Sequence, residues 1–240
     1  IDYEYSLTLH DMLSLSSGLK DRYQYPSYIK QPIDSLLSVE LTNPGKILYS
    51  NSATHLNAHA LFYASEMTPH QFASRYLFPY LGIEEPRWDH GYLNINDGAT
   101  NLYLNLRDMV KLGQLYIQNG YSGSNQILST EWIHKATKSQ VSTDYVNDPS
   151  YSPIYKMIAK LVGFYLPSGY GYLWWIPEIE DSFLAMGYGG QFILVVPKYN
   201  LVIGTQSLLA NKFYLNMLQS NRLLKTILYD LVPLFSNRDS

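Results

Sequence analysis

The spacing of apolar residues changes once along this chain. Up to about residue 137 they recur at helical intervals, and from residue 170 they alternate or run together as in strands. Thr8-Leu9-His10-Asp11 reads as a helix start, with Thr8 as cap and Asp11 placed to reach back to it. Leu9, Met12, Leu13 and Leu15 follow, and Ser16-Ser17-Gly18 ends the helix. Residues 20–35 read as loop, with Pro26 and Pro32. Ala53 to Ala64 predicts a buried helix with Leu56, Ala60 and Tyr63 on one face. Thr68-Pro69 caps another that carries Phe72, Tyr76 and Leu77, proline suiting the first helical position. Gly98 to Leu102 reads as a turn. Leu106, Met109, Val110, Gly113 and Ile117 form an amphipathic stripe that ends at Asn119-Gly120. Ser129-Thr130 opens a short helix through Ile133, and residues 139–169, with Pro149, Pro153 and Pro167, read as a long surface excursion.

Four strand-like runs come next: Tyr170–Ile176, Ser182–Met186, Gln191–Val196 and Leu201–Thr205, the last two joined by a hairpin-length turn at Pro197–Asn200. A closing helix over Asn211–Leu231 places Phe213, Met217, Leu224, Leu228 and Leu231 at helical spacing before Pro233. Helices followed by an antiparallel meander predict an α+β protein. The expected division is a mostly helical lobe over 1–169 and antiparallel strands with a C-terminal helix over 170–240.

Composition narrows the partners. With 46% hydrophobic residues, the 240 residues suffice for a sizeable core. A net charge of −3 gives no reason to expect attraction to nucleic acid or acidic lipid. No apolar run reaches the ~20 residues of a membrane span. The absence of cysteine removes disulfides and thiolate metal sites and leaves the redox compartment open. The chain opens at Ile1-Asp2-Tyr3 without an initiator Met and reads as cut from something longer.

Candidate chemistry centres on Tyr49-Ser50-Asn51, which follows the turn Asn43-Pro44-Gly45 and precedes an apolar helix. A phenol and an amide two residues apart can face one cleft. The phenol can shuttle a proton if cations lower its pKa from ~10, and the amide can bond a substrate carbonyl. Taken alone, the pair also fits a buried tyrosine on a turn and an asparagine capping the next helix. Gly187-Tyr188-Gly189-Gly190-Gln191 stands at the start of a strand, and a glycine-rich bulge would account for it equally. His55 and His59 share a helical face as zinc ligands can, but without an adjacent Glu or an obvious third ligand they read as core or surface histidines. Trp174-Trp175 reads as core-facing and groove-lining aromatics.

Together, Thr8–Leu19, Tyr49-Ser-Asn51 and Gly187–Gln191 resemble the serine β-lactamase/penicillin-binding-protein-like superfamily. Tyr103–Met109, Gly113–Tyr116, Gly171–Ile176 and Gln191–Pro197 extend the likeness over nearly the whole chain. The Gly-Tyr-Gly-Gly-Gln form looks most like the esterase and 6-aminohexanoate-oligomer-hydrolase branch. The resemblance implies a helical lobe beside an antiparallel sheet with the C-terminal helix packed on it. It also implies a serine hydrolase that forms an acyl-enzyme on a small ester or amide, with no cofactor and no metal. Tyr49 would shuttle protons and Asn51 would position the lysine and the substrate carbonyl. Tyr188, Gly189 and Gly190 would occupy the Lys-Thr-Gly positions, and the Gln191 backbone N–H would be an oxyanion donor. Gly189 and Gly190 would let a substrate lie against an edge strand as an added β-partner.

Two departures matter. The Ser-x-x-Lys helix of the superfamily normally precedes the Thr8–Leu19 element, and the two matches here, Ser17–Lys20 and Ser27–Lys30, fall at a helix stop and in a proline-flanked loop. The 240 residues alone are therefore expected to be inactive. Tyr188 stands where a cation would hold a carboxylate, which favours a neutral substrate. If the first strands lie elsewhere, the sheet over 182–206 should have an uncovered edge and face, and the chain should self-associate or pair with its missing segment.

Overall fold

The computed structural model describes residues 6–22, 27–143 and 165–236. The first helix, α1 (Leu9–Leu13), opens with the expected reciprocal cap: Asp11 N donates to Thr8 Oγ1 (3.2 Å) and Thr8 N to Asp11 Oδ2 (2.9 Å). A 3-10 turn (Ser27–Lys30) and α2 (Ile33–Leu37) interrupt the loop expected over 20–35. Helix α3 (Asn51–Ser65) is capped by Ser50, and α4 (Pro69–Tyr76) by a Thr68/Gln71 box. After the short α5 (Phe78–Leu81), helices α6 (Leu106–Ile117) and α7 (Thr130–Thr137) complete the helical part, with a two-residue hairpin of β1 (Tyr121–Ser122) and β2 (Asn125–Gln126) between them.

Six strands form one antiparallel sheet in chain order: β3 (Val141–Ser142), β4 (Gly169–Tyr170), β5 (Trp175–Ile176), β6 (Phe183–Gly187), β7 (Gln191–Val196) and β8 (Leu201–Thr205). Most of the excursion expected over 139–169 lies outside the described residues, and its described ends supply β3 and part of β4. The run Tyr170–Ile176 is not one strand. It turns back on itself, Gly171 N donating to Trp174 O (2.7 Å) and Leu173 taking φ +60°. The tip of that turn is held by Tyr172 N to Ala136 O and Leu173 N to Leu13 O, so bonds to α7 and α1 prevail over strand propensity.

The pleat of β7 sends Phe192, Leu194 and Val196 to one face and Ile193 and Val195 to the other. The first set packs with Leu224, Ile227, Leu228 and Val232 of the C-terminal helix, α8 (Phe213–Lys225), and its π-helical continuation Thr226–Leu231. The second packs with Met109, Leu112 and Tyr116 of α6, where a Cβ on Gly113 would meet Val202 Cγ1 at 2.7 Å. The sheet face expected to be open is therefore covered on both sides. The edge is open: no hydrogen bond beyond the β7 ladder reaches the β8 backbone among the described residues. Two apolar positions of the last helix expected in the core are exposed, Phe213, which lies against Tyr188, and Leu231, which ends the π-helical turns. No helix among the described residues is long and apolar enough to cross a membrane.

Helix α3 buries Leu56 as expected, but its inward face is completed by Ser52, His55 and His59, with Ala60 half-buried and Tyr63 exposed. His55 Nδ1 accepts from Gly98 N (3.1 Å) and lies 4.0 Å from Asp97 Oδ1. Its Nε2 and both ring nitrogens of His59 have no hydrogen-bond partner among the described residues, and the two rings meet edge to face at 4.9 Å. Asp97 accepts from Tyr28 Oη, Ala99 N, Thr100 Oγ1 and Asn101 Nδ2. Burial, and secondarily the neighbouring His59, pushes the His55 pKa down to about 4, against the pull of Asp97; burial lowers His59 as well.

This fixes an acid limb of stability. An unfolded histidine takes up a proton near pH 6.5 while folded His55 refuses it until about pH 4. Nothing is gained above 6.5, and stability falls as the pH drops between the two values, by about 3 kcal/mol from His55 alone. Urea titrations at pH 7.5 and 4.5 should show that loss. His59→Leu, which removes two unpartnered buried nitrogens, should raise stability at pH 4.5 by about 1 kcal/mol or more.

Candidate active site

The Tyr49 loop is strung along the segment that ends α1. Thr42 N donates to Gly18 O, Gly45 N to Ser16 O and Leu48 N to Leu15 O, each at 2.8 Å. Gly18 sits at φ +74°, and a Cβ there would lie 2.6 Å from Thr42 O, so the close approach of the two segments requires glycine. Buried Ile47 pins the loop to the core. The Tyr49 ring then stacks on Trp175 of β5, with centroids 5.9 Å apart and planes 13° from parallel. Trp175 in turn meets Tyr170 edge-on at 4.8 Å. Trp174 points to the other face, against Tyr116 and Phe183, so both tryptophans are buried, one in each of the two cores.

Tyr49 is 45% exposed, and its hydroxyl makes no hydrogen bond among the described residues. Asn51, the first residue of α3, is half-buried, and its side-chain amide has no partner among the described residues either. What holds them is Asp21, a residue that sequence reading passed over. Its Oδ1 accepts from Ser50 Oγ (2.8 Å) and Ser52 N (2.8 Å), and its Oδ2 from Asn51 N (3.1 Å). The only sequence signal was an acid two residues after Gly18-Leu19, with its partner helix some thirty residues away.

On the sheet side, Tyr188–Gly190 form a three-residue turn that joins β6 to β7, with Gly187 opposite Gln191. Gly189 (φ +79°) and Gly190 (φ +92°) supply the left-handed backbone of this turn. On its other side β6 pairs with β5 only at Leu184, so no ladder partner covers Ala185–Gly187 there among the described residues. The turn itself packs on the chain's own side chains: a Cβ on Gly190 would meet Ser207 Oγ at 3.0 Å and Leu223 Cδ2 at 3.1 Å. Gln191 Nε2 donates to Ser207 O (3.1 Å). Tyr188 leans towards α8, its ring stacked on Phe213 (5.5 Å, 16°) and its hydroxyl accepting from buried Asn216 Nδ2 (2.8 Å).

Tyr49 thus meets the sheet half through Trp175. No hydrogen bond or ring contact links Tyr49 or Asn51 to residues 188–191 among the described residues. Trp175 pairs with Leu184, three residues before Gly187, a separation of about 10 Å along β6. Neither internal Ser-x-x-Lys match forms a helix start: Ser17 is buried and accepts from Leu19 N, and Ser27–Lys30 is one 3-10 turn with both ends exposed. Among the described residues no cation acts to lower the Tyr49 pKa. Desolvation raises that pKa, and the Asp21 carboxylate raises it further, so the phenol holds its proton at neutral pH.

No protein-family model and no curated protein sequence matches the chain. Several solved structures share its fold. A putative β-lactamase from Bacteroides dorei superposes with a TM-score of 0.69 at 17% identity, over 91% of this chain and 70% of its own. A penicillin-binding protein from Bacillus halodurans gives 0.59 at 17% identity, over 91% and 72%. A putative 6-aminohexanoate-dimer hydrolase from Bacillus anthracis gives 0.55 at 24%, over 90% and 55%. The chain therefore has the mixed helix and antiparallel-sheet fold of the β-lactamase/penicillin-binding-protein type, and it spans only part of the length of these structures.

The loop geometry separates the phenol's hydroxyl from its ring. Tyr49→Phe should change stability by less than about 0.5 kcal/mol, because the lost hydroxyl has no protein partner. Gly18→Ala should cost about 2 kcal/mol or more through its positive φ and the Thr42 carbonyl. Equilibrium urea unfolding of the two variants at pH 7.5 checks the contrast.

Proposed function

We propose that this protein is a serine hydrolase of the β-lactamase-like superfamily that cleaves an ester or amide, a β-lactam included, through an acyl-enzyme. The observation that carries this reading is the pairing of two polar groups without partners among the described residues, the Tyr49 phenol and the Asn51 amide, on a loop braced at the seam between helices and sheet. The attacking serine and its lysine come from a Ser-x-x-Lys helix outside these residues. The serine oxygen adds to the substrate carbonyl, and Asn51 hydrogen-bonds that carbonyl and the lysine. The Tyr188–Gln191 turn faces the developing oxyanion with backbone N–H groups, that of Gln191 among them. Tyr49 takes up the serine's proton as it passes its own to the leaving group, and when water releases the acyl group it takes a proton from the water and returns one to the serine. The lysine supplies the positive charge that a phenolate needs beside Asp21.

Tyr188 fits a neutral substrate, since its phenol is engaged by Asn216 and offers no charge to a carboxylate. A second reading is a non-catalytic relative that keeps the cleft for binding. It is favoured by the charge acting on Tyr49, which is a carboxylate, and by the geometry of the two internal Ser-x-x-Lys matches. Self-association, or pairing with a further segment, would use the open β8 edge beside exposed Leu208 and Leu209.

Intact-mass analysis after fluorophosphonate treatment distinguishes the two readings. The natural gene product should gain one adduct on a serine preceding residue 1, and Tyr49→Phe should slow that labelling by about a hundredfold or more. No adduct on the folded natural product would leave the binding reading standing.

A further inference from the structure

We propose that Asp21 is the positioning residue of the Tyr49–Asn51 segment, its carboxylate fixing the start of α3 and with it the directions in which the phenol and the amide leave the backbone. This rests on the reading of Tyr49 and Asn51 as the groups that face the substrate.

The first N–H groups of a helix have no partner within it. In α3 the cap Ser50 satisfies one of them, accepting from Ala53 N at 3.0 Å. The N–H groups of Asn51 and Ser52 both go to Asp21, at 3.1 and 2.8 Å, and the Ser50 hydroxyl donates to the same carboxylate at 2.8 Å. One side chain thus closes the two donors that Ser50 leaves open and orients Ser50 as well. The helix end carries partial positive charge, which favours an anion there. Asp21 lies in the exposed loop after Leu19, yet the three backbone bonds from Leu15–Gly18 to Thr42–Leu48 set the two segments side by side. The Asn51 side chain starts from a backbone N–H held by Oδ2, so the bond that fixes the backbone also fixes where the amide begins.

The charge has a second effect. Asp21 acts on the Tyr49 phenol as well as on the helix, adding to the desolvation that keeps the phenol protonated. A neutral cap would hold the turn without that effect. Asp21→Asn separates the two roles. Its carbonyl can keep the bonds from Ser50 and Ser52, while its NH2 faces the Asn51 N–H, so one bond and the charge are lost together.

The test reads Tyr49 and Asn51 directly, by NMR at pH 7 on the 13C-tyrosine- and 15N-labelled chain, with Tyr49→Phe assigning the Tyr49 ring. In Asp21→Asn, amide exchange at Asn51 should rise about tenfold while Ser52 keeps most of its protection. The Tyr49 ring signals should lose part of the ring-current shift that stacking on Trp175 gives them, and the phenol should titrate at lower pH than in the wild type. Asp21→Glu, which restores the charge, should return the titration towards the wild-type value. Unchanged Asn51 exchange and Tyr49 signals in Asp21→Asn would overturn the proposal. So would an equal loss of protection along all of α3, which would mark a cap for stability alone. If Asp21→Asn does not fold, the wild-type chain decides the matter: raising NaCl from 0.05 to 1 M should lower the Tyr49 titration, and no salt dependence would overturn the proposal. These outcomes do not depend on turnover, so a chain that fails to react with fluorophosphonate still tests Asp21.

Discussion

The contact between the Tyr49 ring and Trp175 carries the join between the helical and sheet parts of this protein at the candidate site. A stacked aromatic pair adds about 0.5–1.5 kcal/mol beyond the area it buries. Its weight here comes from position more than from energy. Trp175 lies in β5, in register with Leu184 of β6, and Tyr49 ends a loop tied by three backbone bonds to the tail of α1. Helix α1 is itself fastened to the sheet, through His10 Nδ1 to Tyr172 Oη (2.8 Å) and Leu173 N to Leu13 O (2.9 Å). A shift of the stack would have to break one of these attachments.

The electrostatics of the seam run against a free-standing base. Tyr49 has an acid for a neighbour, and Tyr170 behind it is pushed well up by burial and by Tyr49 itself. Two phenols that both resist ionisation make a proton-holding environment. Such phenols give up a proton near neutral pH only when a cation is brought in to stabilise the phenolate. The chemistry proposed for Tyr49 therefore needs a partner charge within a few ångströms, and the lysine of a Ser-x-x-Lys helix is the group that would provide it.

Much of the fold was legible because local signals agreed with the packing. Thr8/Asp11 and Thr68/Gln71 cap as their spacing predicts, the α6 stripe faces the sheet around Gly113, and the period of two along β7 divides its residues between two cores. Other features depend on contacts distant in sequence. His55 and His59 turn inward because Gly98 and its turn pack against α3, which no helical periodicity announces. The run Tyr170–Ile176 reads as a strand, but its middle is pulled out by the backbones of α1 and α7. Tyr49 and Asn51 could be picked by resemblance, whereas Asp21 could not, because its meaning lies entirely in a helix that begins thirty residues later. The Gly189-Gly190 pair was read for the close approach of a substrate strand, and the approach the structure shows is of Leu209 to Gly189 and of Ser207 and Leu223 to Gly190.

That last difference bears on what the site can bind. An edge strand recognises an extended chain by pairing its backbone along several residues. β7 cannot, since β6 and β8 pair with it on both sides, but β6 pairs with β5 only at Leu184, so no ladder partner covers Ala185–Gly187 on that side among the described residues. The turn that follows could offer one or two N–H groups at a point, which suits a single carbonyl oxygen. Tyr188, held by Asn216 and Phe213, walls one side of that point with an uncharged ring. In the proposed reading that wall suits a neutral acyl group better than a terminal carboxylate, because the one phenol there is engaged by Asn216.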